Sequence, residues 1–222
     1  DGAPVALPAE NITFMLHKPA GYVTTMSDPQ GRPTAADLMG AELAAYPALF
    51  PVGRLDADTT GLLLFTTDGE LGHGLLHPRR HVEKTYLALV EGALNEYDLA
   101  RLREGVPLDD GPTLPAGARL LRGAEAKEAR RLIGAGEGAS GQVARHGGKR
   151  GRRALEASGT LVEVVLREGR KRQVRRMLEA VGHPVIALHR QSFGPLDLGD
   201  LPRGMARRLT SEEVAALKAL AS

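Results

Sequence analysis

Apolar and polar positions divide this chain into short strands and short amphipathic helices. Thr13-Phe14-Met15-Leu16-His17 reads as a buried strand, stopped by Pro19 and Gly21. After the turn Asp28-Pro29-Gln30-Gly31-Arg32-Pro33, Thr34 is placed to cap a helix through Ala45, with Leu38 and Ala41 on its inner face and Pro47 beyond its end. Gly61 to Thr67 is a leucine-rich run, which predicts a strand buried on both faces. Asp68-Gly69 turns the chain into a short helix from Glu70 to His77. A strand from Lys84 to Glu91 alternates Tyr86, Ala88 and Val90 against Leu87 and Leu89. Asn95 caps a helix through Glu104 that turns Leu99 and Leu102 inward.

The second half is less regular. Residues 105–123 read as two short strands joined by Gly-Pro turns. From Gly134 to Gly159 the apolar period is lost and Gly, Ala, Ser, Arg and Lys dominate, the pattern of a flexible basic loop. A strand from Leu161 to Leu166, the turn Glu168-Gly169-Arg170, a helix from Lys171 to Val181 and a strand from Pro184 to Leu188 follow. Thr210-Ser211-Glu212-Glu213 is a capping box that opens the last helix. Strands and helices mix without strict alternation, and hairpin turns recur. The prediction is an α+β fold with a largely antiparallel mixed sheet, not a doubly wound parallel one.

Composition adds exclusions. At 222 residues the chain suits one large domain or two small lobes, and 42% apolar content is enough for a packed core. The absence of cysteine excludes disulfides, zinc-thiolate centres and cysteine nucleophiles, and it fits a reducing cytoplasm. No apolar run approaches the roughly 20 residues needed to span a bilayer, and no signal segment opens the chain. Residues Asp1 to Glu10 read as a linker, and the first residue is Asp instead of Met, so a segment upstream is expected.

A net charge of only +2 hides a sharp distribution. One basic cluster holds Arg145, His146, Lys149, Arg150, Arg152 and Arg153; the other holds Arg167, Arg170, Lys171, Arg172, Arg175 and Arg176. In the helix of the second cluster, Val174, Met177, Leu178 and Val181 form the apolar face, and Arg172, Arg175, Arg176 and Glu179 form a stripe expected to face outward. A solvated face and a phosphate-binding face both fit such a stripe; two clusters in a near-neutral chain bring nucleic acid into play.

The chemistry centres on Gly53-Arg54-Leu55-Asp56-Ala57-Asp58-Thr59-Thr60-Gly61. A carboxylate beside an arginine on a polar turn can be a nucleophile, a general base, a metal ligand or a turn-former. Asp56-Ala57-Asp58-Thr59-Thr60 fits the D-x-D-x-T pattern of aspartate-nucleophile phosphatases, but the apolar strand comes after the motif instead of before it. His73, His77 and His81 have a spacing that can hold a metal, yet no H-E-x-x-H is present and Pro78 interrupts. No P-loop, G-x-G-x-x-G or G-x-S-x-G occurs.

Several motifs in order carry a resemblance. Lys18-Pro19-Ala20-Gly21-Tyr22-Val23, the Asp56 segment with Thr67-Asp68-Gly69, Glu83-Lys84-Thr85-Tyr86, and Glu168-Gly169-Arg170-x-Arg172-Gln173-Val174-Arg175-Arg176-Met177 follow one another, then Gly182-His183-Pro184-Val185 and Leu188-x-Arg190. Together they resemble ribosomal RNA pseudouridine synthases of the RsuA-like family, the small-subunit type with its large-subunit relatives, over roughly Asn11 to Leu217. The resemblance implies the pseudouridine synthase fold with an active-site cleft between two lobes, the whole chain forming the catalytic part. It implies isomerisation of uridine in ribosomal RNA with no cofactor and no metal. An S4-type RNA-binding domain, common ahead of the catalytic part, is expected upstream of residue 1.

The resemblance also assigns roles. Asp56 is the catalytic aspartate, Arg175 its ion-pair partner and Tyr86 a platform for the flipped uracil. Arg54, Arg170, Lys171, Arg172 and Arg176 are the expected RNA contacts, and Asp58 and Thr59 are expected only to shape the turn. The expected partner is small- or large-subunit ribosomal RNA, the expected site of action the cytoplasm, and the expected state a monomer with no membrane contact. The alternative is a non-catalytic RNA-binding protein of ribosome assembly.

Overall fold

The computed structural model describes residues 11–134 and 159–222. The linker expected before Asn11, nearly all of the basic loop and its arginine cluster lie outside the described residues. Most of the described strands join one sheet in the order β11-β1-β3-β9-β4-β8-β7. These are β1 (Thr13–Lys18), β3 (Thr59–Thr66), β4 (Lys84–Val90), β7 (Gly117–Leu120), β8 (Thr160–Leu166), β9 (Val185–Phe193) and β11 (Ala206–Arg208). The short strands β2 (Phe50–Val52) and β10 (Leu196–Asp197) pair with β3 and β9. All pairings are antiparallel except β3 with β9, where Thr59, Thr60 and Gly61 run parallel beside Leu188, His189 and Arg190. The α+β expectation holds.

Alternation along each strand builds two buried layers. On the front, Ala88, Val90, Val162, Val164 and Leu188 pack under helices α3 (Glu96–Glu104) and α5 (Gln173–Ala180). Beside them, Phe14, Leu16, Leu63 and Phe65 form a second front cluster with Met39, Leu49 and Leu55. Tyr86 packs against both, so it sits at the seam between the two lobes. On the back, Leu62 and Leu64 pack against helices α2 (Gly69–Leu76) and α6 (Ser211–Ala221), and Leu87 and Leu89 against helix α4 (Gly123–Ile133).

Several boundaries differ from the sequence reading, each for a local reason. The helix expected from Thr34 to Ala45 is a 3-10 turn over Asp37–Met39 followed by the six-residue α1 (Gly40–Ala45); Met39 is its buried residue and Ala41 is exposed. Helix α5 begins at Gln173 instead of Lys171, because Arg172 takes a left-handed φ of 50°. The strand expected to stop at Leu188 runs on to Phe193. Residues 105–123 hold β7 and a small hairpin of β5 (Pro107–Leu108) and β6 (Gly111–Pro112), three strands where two were expected. Thr210 closes the capping box read from sequence, and Asn95, read as a cap, closes one as well.

Candidate active site

The Asp56 loop crosses from β2 to β3 at the top of the seam, and nearly every carbonyl along it is held. Thr24 Oγ1 donates to Leu55 O at 2.7 Å and accepts Leu55 N–H at 3.2 Å. Thr59 N–H donates to Asp56 O at 3.0 Å and Gly21 N–H to Ala57 O at 2.7 Å. Lys18 lies beneath, fully buried, its Nζ donating to Thr59 O at 2.9 Å, Pro19 O at 3.0 Å and Asp56 O at 3.2 Å. Burial pulls the Lys18 pKa down to about 8, against the attraction of Asp58 and Asp56. Its function was not read from the sequence, although it opens the first motif. A buried ammonium that ties three carbonyls fixes where the Asp56 side chain emerges.

The carboxylates meet α5. Arg172 Nη1 lies 3.4 Å from Asp56 Oδ2 and 3.5 Å from Asp58 Oδ1. Arg175 is not on the outer face of its helix: it is 8% exposed, and burial lowers its pKa despite the carboxylates nearby. Its Nη2 lies 3.1 Å from Asp58 Oδ2 and donates to Asp58 O at 3.2 Å. Its Nε, 4.0 Å from Asp56 Oδ2, is buried without a hydrogen-bond partner. The main ion pair of Arg175 is therefore with Asp58, the residue expected only to shape the turn. Asp58 anchors the guanidinium and leaves its Nε turned toward Asp56.

Arg170 and Arg176, expected as RNA contacts, are engaged elsewhere. Arg176 grips Asp110 with two bonds of 3.0 Å. Arg170 donates to Pro112 O at 2.6 Å, Gly111 O at 2.9 Å and Glu168 Oε2 at 3.1 Å. Both brace the β5–β6 hairpin against α5. Arg54 and Lys171 are exposed and make no hydrogen bond or ion pair among the described residues. The His73 and His77 rings lie 5.9 Å apart on the exposed side of α2.

A cleft of about 730 Å³ runs over this loop, walled by residues 23–32 on one side and 169–172 on the other. Arg54, Asp56, Tyr86 and Arg172 line both the cleft and a smaller recess that reaches Thr59, Leu166, Gln173 and Leu188. A half-buried carboxylate, its side chain 31% exposed, thus faces an aromatic ring and two guanidiniums on a rigid loop in an open groove. That arrangement suits acid–base or nucleophilic work on a group drawn in from a larger ligand.

The fold is a mixed sheet with a cleft over the Asp56 loop, and sequence comparison gives its family. The profile of a family described as RNA pseudouridylate synthase matches residues 12–180. The chain belongs to this family and is an isomerase. It is 40% identical over 217 residues to an RNA pseudouridine synthase of Mycobacterium tuberculosis, covering 98% of this chain and 73% of that protein. It is 36% identical over 212 residues to ribosomal large subunit pseudouridine synthase B of Bacillus subtilis, covering 96% of this chain and 73% of that protein. A crystal structure of a pseudouridylate synthase superposes with a TM-score of 0.72 at 32% identity, over 94% of this chain and 74% of the other.

Proposed function

We propose that this chain converts a uridine of large-subunit ribosomal RNA to pseudouridine, with Asp56 as the carboxylate that acts at the ribose. The observation that carries the reading is the Asp56 carboxylate on its braced loop, with Arg172 at 3.4 Å and the free Nε of Arg175 at 4.0 Å. The choice of large-subunit RNA is supported by the Bacillus subtilis relative named for it.

The reaction rearranges one nucleotide. The N1–C1′ bond breaks, uracil turns, a C5–C1′ bond forms, the C5 proton leaves and N1 gains a proton, so no electrons are exchanged with a second reactant. Asp56 serves this either by attacking covalently or by supporting a glycal-forming path. The base must leave its stack to reach the carboxylate. Tyr86, half-buried at the lobe seam, is the stacking platform. Arg54 fills the vacated space or holds a phosphate, with Lys171 and Arg172 as further phosphate contacts. Arg170 and Arg176 act by holding the cleft wall in shape.

The chain is proposed to work in the cytoplasm as a monomer; among the described residues no helix is long and apolar enough to cross a membrane. The test is Asp56→Asn, with pseudouridine mapped on ribosomal RNA by carbodiimide-dependent primer-extension stops. Conversion is expected to fall by more than ~1000-fold, equivalent to ~4 kcal/mol of transition-state stabilisation, while RNA binding survives. Full conversion by Asp56→Asn would remove Asp56 from the chemistry, and binding without product by the wild type would favour a non-catalytic assembly role. Tyr86→Phe is expected to retain more activity than Tyr86→Ala, and equal losses would count against stacking.

A further inference from the structure

Two cations on the cleft floor have no carboxylate partner among the described residues. Lys84 opens β4 and Arg190 lies on the neighbouring β9, where Tyr86 is paired with Arg190 and Lys84 with Phe193 across a register shift. Both line the cleft that holds Asp56 and Tyr86. Lys84 Nζ and Arg190 Cζ each stand 5.4 Å from the centre of the Phe193 ring. Arg190 is 3% exposed; its Nε donates to Leu62 O at 2.7 Å, and its buried Nη2 has no hydrogen-bond partner. Lys84 Nζ donates only to Val82 O, at 2.8 Å. Burial, reinforced by the Arg190 charge, brings the Lys84 pKa down to about 8, so the Lys84 ammonium is disfavoured by its surroundings.

The contrast with α5 and its approach is sharp. Arg170, Arg172, Arg175 and Arg176 each have an Asp or Glu within 4.0 Å. Lys84 and Arg190 have none among the described residues. A buried guanidinium with an unmade hydrogen bond is destabilising unless an anion completes it. The backbone also fixes Arg190 in place: a Cβ on Gly61 would meet Arg190 O at 2.2 Å, so β3 and β9 approach closely only because residue 61 is glycine.

We propose that Lys84 and Arg190 form an anion subsite that takes a phosphodiester of the RNA strand next to the target nucleotide. The inference rests on the reading of the cleft as an RNA-modifying site and adds which phosphate-binding groups lie inside it. Lys84 supplies a point charge and Arg190 the free edge of a planar donor, with the Phe193 ring 5.4 Å from each. A phosphate seated there would draw the strand along the floor of the cleft and past Tyr86.

The experiment uses the full chain and two readouts. Lys84 is followed by NMR of its side chain while uridine, uridine 3′,5′-bisphosphate or inorganic phosphate is added. The bisphosphate is expected to move the Lys84 titration midpoint upward from about 8, and uridine to leave it in place. Binding and single-turnover rates on ribosomal RNA are then compared for wild type and Lys84→Gln. The variant is expected to bind ~10–100-fold more weakly, as for loss of one charge-assisted contact, with a larger change in KM than in kcat. An unmoved midpoint with the bisphosphate, or wild-type RNA affinity in Lys84→Gln, overturns the proposal. A midpoint that inorganic phosphate moves while Lys84→Gln binds RNA normally also overturns it, as a free-anion site. Arg190→Gln is a secondary arm, since the buried guanidinium also holds Leu62 and that variant can fail to fold. The nucleotide titration needs no turnover, so a wild type that makes no pseudouridine would defeat the proposed function without deciding the subsite.

Discussion

Arg172 combines backbone strain with electrostatics at one residue. Its φ of 50° is one of two positive values among the described non-glycine residues, and that conformation costs such a residue about 1–2 kcal/mol. The strained turn starts α5 two residues late and brings the Arg172 guanidinium to 3.4 Å from Asp56 and 3.5 Å from Asp58. Strain held beside the carboxylate proposed to react indicates function more than stability. Glycine accepts this φ freely and alanine does not, while both lack the guanidinium. Arg172→Gly is therefore expected to be more stable than Arg172→Ala by ~1 kcal/mol, with both losing activity to a similar degree. Urea unfolding midpoints beside single-turnover rates check this, and equal midpoints would mean that the left-handed turn carries no strain.

The central strands carry a second unused chemistry on their back face. His17 of β1 donates Nδ1–H to Leu201 O at 2.7 Å, and His189 of β9 pairs Nδ1 with Thr60 Oγ1 at 2.9 Å. The rings meet edge-on at 5.5 Å, and both Nε2 atoms are buried without partners. Burial lowers both pKa values, with Arg203 facing both rings and each added charge opposed by its surroundings; His189 falls to about 3. An unfolded histidine titrates near 6.5, so below that pH the unfolded chain takes up protons that the folded chain refuses. Stability is full above about pH 6.5 and is lost as pH falls toward 3, by up to ~1.4 kcal/mol per pH unit for His189 alone. Urea midpoints measured from pH 7.5 to 5 are expected to fall, with a shallower fall in His189→Asn; parallel curves would exclude His189 as the source. At this scale the sequence was legible wherever an element is long and two-sided. The leucine run of β3, the alternation of β4 and the boxes at Asn95 and Thr210 are all recoverable from local pattern. Helix α4 was missed although its Ala, Glu, Lys, Arg and Leu residues are good helix formers, because only Ala129 and Ile133 are buried and the apolar stripe is narrow. Strands β2, β10 and β11 are two or three residues long, too short for a period. The Asp56 motif was legible as contiguous sequence, but the Asp58–Arg175 pair joins residues 117 apart and only the folded sheet brings them together.

Among the described residues, positive charge is sorted by whether an acid already answers it. Arg32, Arg167, Arg170, Arg175 and Arg176 are matched by Asp28, Glu83, Glu168, Asp58 and Asp110. Arg54 and Lys171 are exposed at the cleft without such a match among the described residues. Counting basic residues therefore overstates the charge available to RNA, since a guanidinium held by a carboxylate must give up that partner before it neutralises a phosphate. The sorting has a measurable consequence in counterion release. Each phosphate contact made by an unmatched cation lowers the slope of log affinity against log salt by ~0.7–0.9. Arg54→Ala and Lys171→Ala are each expected to reduce the steepness of RNA binding by about that amount, with little effect on stability because neither side chain holds the fold. Arg176→Ala is expected to leave the slope nearly unchanged and to lower stability instead, because its two 3.0 Å bonds to Asp110 tie the β5–β6 hairpin to α5. Salt titrations of RNA binding beside unfolding curves for the three variants separate these roles. A slope that falls equally in all three would mean that Asp110 releases Arg176 when RNA arrives, and that the hairpin wall is itself part of the RNA interface.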